Sequence, residues 1–269
     1  MKINNLLYKK LDLKGIKQAE FEVLVAFRNY CEKHGLRFYL AYGTLIGAVR
    51  HKGFIPWDDD IDVEMPIEDY EKLMELVKRE PISNNIEFNY FEDGKWPYPF
   101  GKLCRTDTIT ATLDSPYHYG VWVDIFPLDK IAEGDEKTLI KRRRNLRLIL
   151  GKLYQGYRLW SKKGIVKGLI KCILFPFSIR FLSGKSVKLS KKYRNCPTEL
   201  YTDIVWSSQM HEIITANELD DIIYLEFEGE KMPTYACYDR ILTNIYGNYM
   251  ELPPEGQRMV HGFDAWIRK

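Results

Sequence analysis

Apolar residues between Ile16 and Cys31 (Ile16, Ala19, Phe21, Val23, Leu24, Phe27, Cys31) recur near a 3.6-residue period with charged residues between them. The spacing predicts an amphipathic helix over 16–34, ended by a left-handed glycine at Gly35. The run LRFYLAYG then reads as a short strand closing at Gly43, and TLIGAVR as a helical turn with Thr44 as its N-cap. After Pro56 the period changes to two. In DIDVEM, Asp60, Asp62 and Glu64 fall on one side of an extended chain and Ile61, Val63 and Met65 on the other, with Pro66 closing the strand. Residues 67–80 return to the helical period through Tyr70, Leu73, Met74 and Val77.

Shorter runs (IEFNYF, YPFGKLCR, TITATL, GVWVDIFPLD) predict further strands, divided by turn signals such as Asp93-Gly94 and Ser115-Pro116. Residues 235–250 predict a helix with Tyr235, Tyr238, Ile241, Leu242 and Ile245 in phase, stopped at Gly247 and followed by Pro253-Pro254. No internal repeat interrupts this succession. The fold class is therefore α+β: a mixed sheet flanked by helices.

Charge divides the chain. The formal net charge is only +3, yet 18 of the 40 Lys and Arg lie between Lys137 and Thr198, a stretch with no Asp or Glu. The rest holds 22 basic against 37 acidic side chains, an acidic body carrying a basic insertion. This divides the sequence into 1–136, a basic and partly amphipathic helical segment over 137–198, and a C-terminal part over 199–269 that completes the first. Within GIVKGLIKCILFPFSIRFLS, Lys163, Lys167 and Lys171 recur every four residues opposite Ile165, Leu169 and Ile173, and Pro176 interrupts the run. That is an interfacial pattern rather than a spanning one, suited to peripheral contact with anionic membrane or to packing on the core. Long aliphatic runs and the lack of a nucleic-acid motif argue against DNA or RNA as partner. Five scattered cysteines have no zinc-like spacing, and MKINNLLYKKLDLKG has no signal-peptide form. A cytoplasmic protein with free thiols, peripheral at the inner face of the membrane if the basic segment docks there, is expected.

The chemistry is concentrated in YGTLIGAVRHKGFIPWDDDIDVEMP, residues 42–66. Same-face neighbours on a strand lie roughly 6–7 Å apart, so Asp60 and Asp62 can converge on one or two divalent ions. Two such ions can clamp the attacking and leaving oxygens of a phosphoryl displacement. Asp124, a lone charge within VWVDIFPLD, offers a third carboxylate from another strand; the alternative is that it caps a turn or pairs with a lysine. A strand, Gly43 and a helix start at Thr44 make a corner that can receive phosphate. Arg50, His51 and Lys52 lie between that corner and the aspartates, and at least one can reach a phosphate oxygen, Lys52 being the one best explained as surface charge. Lys102, in FGKLCR, can neutralise charge on a donor or leaving group.

These segments resemble a known family. GTLIGAVRHKGFIPWDDDIDVEMP, VWVDIFPLD and YGNYMELPP are similar to motifs of the LicD family of phosphocholine transferases, related to fukutin-type phosphosugar transferases and built on the nucleotidyltransferase-like superfold. The resemblance implies magnesium or manganese, a CDP-linked donor such as CDP-choline, and transfer of phosphocholine or a related substituted phosphate. The acceptor would be a hydroxyl of a cell-surface glycan or teichoic acid precursor, lipid-linked in the simplest case. By motif position, Gly43 and Thr44 would cradle the donor's phosphates and Asp60 and Asp62 would hold metal. Asp124 falls at the superfold's third carboxylate, Asp58 is a reserve ligand if the strand starts that early, and Asp59 should point away. A choline head group asks for an aromatic enclosure, for which Trp57, Trp96, Tyr98, Tyr117, Tyr119 and Trp122 are candidates. His261 falls on a family motif position, whereas His118 and His211 show no partner in the sequence. Attack on a nucleotide's α-phosphate, or a non-catalytic scaffold at the membrane surface, are the competing readings.

Overall fold

The computed structural model describes residues 6–111, 119–135, 179–205, 213–258 and 262–269, with positions 137, 139, 141 and 142 besides. Its longest helix, α1 (Leu13–His34), starts where Asp12 accepts a 2.8 Å bond from the Gly15 amide. It ends at Gly35, whose φ of 60° lets its amide reach back to the last turn. Val23, Leu24 and Phe27 of α1 share one core cluster with Ile61, Val63, Met65, Leu103, Val123 and Ile125. The helix thus covers one face of the central sheet.

That sheet runs β2 (Tyr39–Leu40), β3 (Asp62–Pro66), β7 (Trp122–Lys130), β5 (Gly101–Arg105) and β4 (Ile86–Asn89), with β8 (Leu200–Asp203) on the end of β7 and β9 (Ile214–Thr215) on β8. β3 and β7 are parallel, and every other pair is antiparallel. Helix α2 (Tyr42–His51) joins β2 towards β3, and α3 (Ile67–Leu76) follows β3 directly. The chain ends are tied together: β12 (Asp264–Arg268) pairs with β1 (Tyr8–Lys10) on one side and β6 (Thr108–Ala111) on the other. The architecture is α+β, in agreement with the sequence pattern.

Several boundaries differ from the sequence reading. The strand expected up to Gly43 stops at Leu40, and α2 opens at Tyr42 with Ala41 at its N-cap. Thr44 therefore lies inside the first turn. The helix expected over 67–80 gives way to turns after Leu76, and the one expected over 235–250 is α6 (Tyr238–Tyr246). Tyr235 belongs instead to a hairpin the pattern did not reveal, β10 (Ile222–Phe227) and β11 (Glu230–Tyr235). Its two-residue turn takes positive φ at both Glu228 and Gly229, which matches the twist of the flanking strands.

Most of the basic segment, including Lys163, Lys167 and Lys171, lies outside the described residues, as do Cys172, Ser115, Pro116, Tyr117, His118, His211 and His261. Its last helix, α4 (Ile179–Lys191), buries Leu182, Ser183, Ser186, Val187 and Ser190 and leaves Lys185, Lys188 and Lys191 outward. Ser186 donates to the Val205 carbonyl at 3.1 Å, and Arg194 just beyond the helix meets Asp129 of β7 at 3.0 Å. This part of the segment packs on the core. Among the described residues no helix is long and apolar enough to cross a membrane.

Candidate active site

The parallel register of β3 and β7 sets Asp62 directly opposite Asp124, and the antiparallel register of β7 and β5 sets Lys102 opposite Asp124 on its other side. Paired residues on neighbouring strands point to the same face, so three charged side chains stand in a row across three strands. Lys102 Nζ lies 2.9 Å from Asp124 Oδ1, and Trp122 Nε1 donates to Asp124 Oδ2 at 3.1 Å. The lysine partner that the sequence left as an alternative for Asp124 is real, and the carboxylate stays beside Asp62 as well. The ammonium also sits 3.9 Å above the Trp122 ring and 5.3 Å from that of Trp96.

Asp62 is fixed through its backbone: its amide donates to Thr44 Oγ1 at 2.8 Å, which locks the start of β3 onto the first turn of α2. Burial raises its carboxyl well above the usual carboxylate range, and the negative charges of Asp60, Asp124 and Asp58 add to this against the opposing charge of Lys102. Glu64, next on the same face, is buried and accepts from Tyr235 Oη at 2.9 Å. It belongs to the hairpin contact rather than to the cleft.

Asp58 and Asp60 precede β3, which begins only at Asp62, so the condition attached to Asp58 as a strand ligand is not met. Asp58 reaches the site from a turn, its amide donating to the Ile55 carbonyl at 3.0 Å. A Cβ built on Gly43 would lie 2.7 Å from Asp58 Oδ2. The carboxylate thus stands against the first turn of α2, where unpaired amides and the helix dipole favour an anion. Asp59 turns elsewhere: it is 3% exposed and accepts from the Gly262 amide at 3.0 Å.

Asp58, Asp60 and Asp62 line a cleft of about 430 Å³ between α2 and the C-terminal segment, whose wall includes Tyr246, Tyr249 and Arg258. Arg50 also lines it, but its Nη1 donates to the carbonyls of Tyr249 at 2.6 Å and Glu251 at 3.3 Å. The Arg50 Nε donates to His51 Nε2 at 2.9 Å, and burial with the Arg50 charge lowers the His51 pKa, so His51 is the neutral acceptor. Lys52 points outward, 3.5 Å from Glu226.

The aromatic candidates separate. Trp96 and Tyr98 are buried with Phe100 and Phe126, with Tyr42 and Tyr119 packed against them, a core cluster and not an open cage. Trp57 does line the cleft, with the Arg258 guanidinium 4.5 Å from its ring. Trp122 carries Lys102.

Glu20 was missed. It is fully buried, and among the described residues neither carboxylate oxygen has a hydrogen-bond partner. Burial raises its pKa well above the usual range, and the charges of Asp60, Asp59 and Asp58 raise it further. The signal existed in the stripe itself: Ile16, Glu20, Val23 and Phe27 follow the helical period, which places a carboxyl at a core position. One turn earlier Lys17 donates to the carbonyls of Ile55 at 2.9 Å and Pro56 at 3.1 Å, anchoring the aspartate loop to α1.

Among the described residues no three His, Cys, Asp or Glu side chains form a ready cage for an ion. Magnesium does not require one, since it keeps waters and takes one or two carboxylates with substrate phosphates. The donor set of Asp58, Asp60 and Asp62 on an open cleft, with Asp62 destabilised by its neighbours' charge, fits that mode of binding.

Residues 35–146 match the family model described as LicD/FKTN/FKRP, nucleotidyltransferase domain. Across 264 residues the chain is 30% identical to the lipopolysaccharide cholinephosphotransferase LicD of Haemophilus influenzae, covering 94% of this chain and 97% of that one. The chain belongs to the LicD family. An uncharacterized protein of Rickettsia typhi is 49% identical over 141 residues, 50% of this chain and 44% of its own length. Mouse ribitol 5-phosphate transferase FKRP is 47% identical over 38 residues, 14% of this chain and 8% of its own length. The LicD family model spans Gly43, the aspartates, Lys102 and Asp124, whereas Glu20 and the C-terminal wall of the cleft fall outside it.

Proposed function

We propose that this protein transfers a substituted phosphate, phosphocholine or a related group, from a CDP-linked donor to a hydroxyl of a cell-surface glycan such as a lipopolysaccharide or teichoic acid precursor. The reading is carried by one observation: Asp62 and Asp124 stand in register on adjacent parallel strands, beside Asp60 and the N-terminal turn of α2. The names of the Haemophilus and mouse relatives support the same class of reaction.

In this scheme the acceptor oxygen attacks the phosphorus that bears the substituent, the bond from that phosphorus to the bridging oxygen breaks, and CMP leaves. Asp60 and Asp62, with Asp58 in reserve, would hold magnesium or manganese, which when bound offsets the diphosphate charge and polarises the reacting phosphoryl group. Asp124 serves as third carboxylate or takes the hydroxyl proton, with Lys102 balancing its charge. The amides of Gly43 and Thr44 face the donor's phosphates once Asp58 yields its place at the helix start.

The test is to incubate the protein with magnesium or manganese and a panel of CDP-linked donors and to analyse the products. Release of CMP supports the proposal, and release of pyrophosphate from a nucleoside triphosphate marks attack at the α-phosphate instead. Binding of neither metal nor donor in calorimetry would leave only a scaffold.

A further inference from the structure

A diphosphate entering this cleft meets Asp58, Asp60 and Asp62 on its lining, so any cationic side chain on the same lining bears on donor binding. Two arginines line the space, Arg50 and Arg258. Arg50 is engaged by the Tyr249 and Glu251 carbonyls through Nη1 and by His51 through Nε, which gives it a structural task in holding the C-terminal segment. Arg258 is placed differently. Its guanidinium carbon lies over Trp57, 4.5 Å from the ring centroid, and its Nε donates to the Pro253 carbonyl at 3.3 Å. It pairs with the exposed Glu255, Nη1 standing 3.5 Å from Oε1, a loose surface contact. A guanidinium held over a ring through its cationic centre can still donate from its Nη atoms once the loose Glu255 contact is given up, which suits two-point recognition of a phosphate.

We infer that Arg258, oriented by Trp57 and carried on the segment that Arg50 clamps to α2, grips the diphosphate of the donor in the cleft it shares with Asp60 and Asp62. This deepens the proposed function and rests on it. It gives the C-terminal segment a share in donor binding, and it makes Trp57 a platform for Arg258 and not a wall of a choline cage.

The experiment is calorimetric titration of the full chain with CDP in saturating magnesium, for the unaltered protein, Arg258→Ala and Arg258→Lys. A charge-assisted pair to phosphate corresponds to about a 10- to 100-fold change in affinity. Arg258→Ala should weaken CDP by about that factor, and Arg258→Lys should recover only part because an ammonium cannot make the forked contact. Manganese affinity measured without nucleotide should not fall in either variant, since Arg258 touches the phosphate and not the ion. CDP affinity within two-fold of the unaltered protein in Arg258→Ala would overturn the inference, as would a parallel loss of manganese affinity. If the unaltered protein binds no CDP, it is the proposed function that fails. Arg258→Lys keeps the charge and a long side chain over Trp57, so the comparison survives should the alanine variant prove unstable.

Discussion

Glu20 and Asp62 belong to one acidic neighbourhood but answer to different demands, and two substitutions separate them. Asp62 faces the cleft, where its charge is useful only once something positive arrives. Asp62→Asn keeps the shape and removes the repulsion from Asp60 and Asp124. Turnover should fall at least about a thousand-fold, while the metal-free protein melts no lower than the original and gains about 1 kcal/mol. Near-normal activity with every CDP-linked donor would end the mechanism. Glu20 is sealed beneath the loop with both oxygens unpartnered, so its polar atoms cost desolvation free energy without a hydrogen bond in return. Glu20→Met, similar in volume and apolar, should stabilise the protein by about 1–3 kcal/mol in denaturant titration. A destabilised variant would mean that the carboxyl has a partner that matters.

At the scale of elements, the N-terminal turn of α2 sets helix propensity against the space that the proposed donor site needs. Gly43 has no positive φ, so alanine there gains helix propensity of about 1 kcal/mol. Its Cβ, however, would stand 2.7 Å from Asp58 Oδ2 and drive that carboxylate off the helix start. Gly43→Ala should therefore keep or raise the melting temperature while activity drops about ten-fold or more, because the added methyl occupies the space in which a donor phosphate must replace the Asp58 carboxylate; equal activity would show that the phosphates bind away from this turn. The sequence disclosed the elements whose two sides differ. The 3.6 period of α1 and the period of two in β3 survive because each splits apolar from charged positions. It failed where both sides are half-covered: β10, with Ile222, Ile223, Tyr224 and Leu225 in succession, shows no alternation, and Pro233 disguises β11. Tyr235 fell in phase with α6 by coincidence of spacing. In the site, Asp60, Asp62 and Asp124 could be named from local pattern. The pairing of Lys102 with Asp124 depends on strand register, and the approach of Arg258 to Trp57 on a contact between residues two hundred positions apart, and neither leaves a local trace.

For the whole molecule, buried carboxyls set how stability follows pH. Asp129 is fully buried on β7, and its pKa is pushed up to about 6 by that burial, which the Arg194 charge only partly offsets. A carboxyl whose folded pKa lies above its unfolded value binds more protons when folded, so its contribution is greatest below the unfolded pKa and is lost as pH rises through the folded one. A rise of about two pH units corresponds to about 3 kcal/mol. Asp129→Asn removes this titration, so between pH 4 and pH 7 the variant should gain about 2 kcal/mol relative to the original, whatever constant offset the lost Arg194 pair imposes; parallel stability curves would refute it. Glu20 and Asp62, both raised, push in the same direction. The metal-free protein is thus held back at neutral and alkaline pH by its own acidic cluster. A dication held between Asp60 and Asp62, as proposed, would offset part of that penalty and bind the folded form alone, and so would raise the melting temperature in step with its concentration. Manganese at pH 8 should therefore stabilise the original protein by several degrees, a gain that a chelator reverses, and should leave a variant with both Asp60→Asn and Asp62→Asn unmoved. An equal rise in that double variant would place the ion elsewhere on the acidic body and separate the aspartate pair from metal altogether.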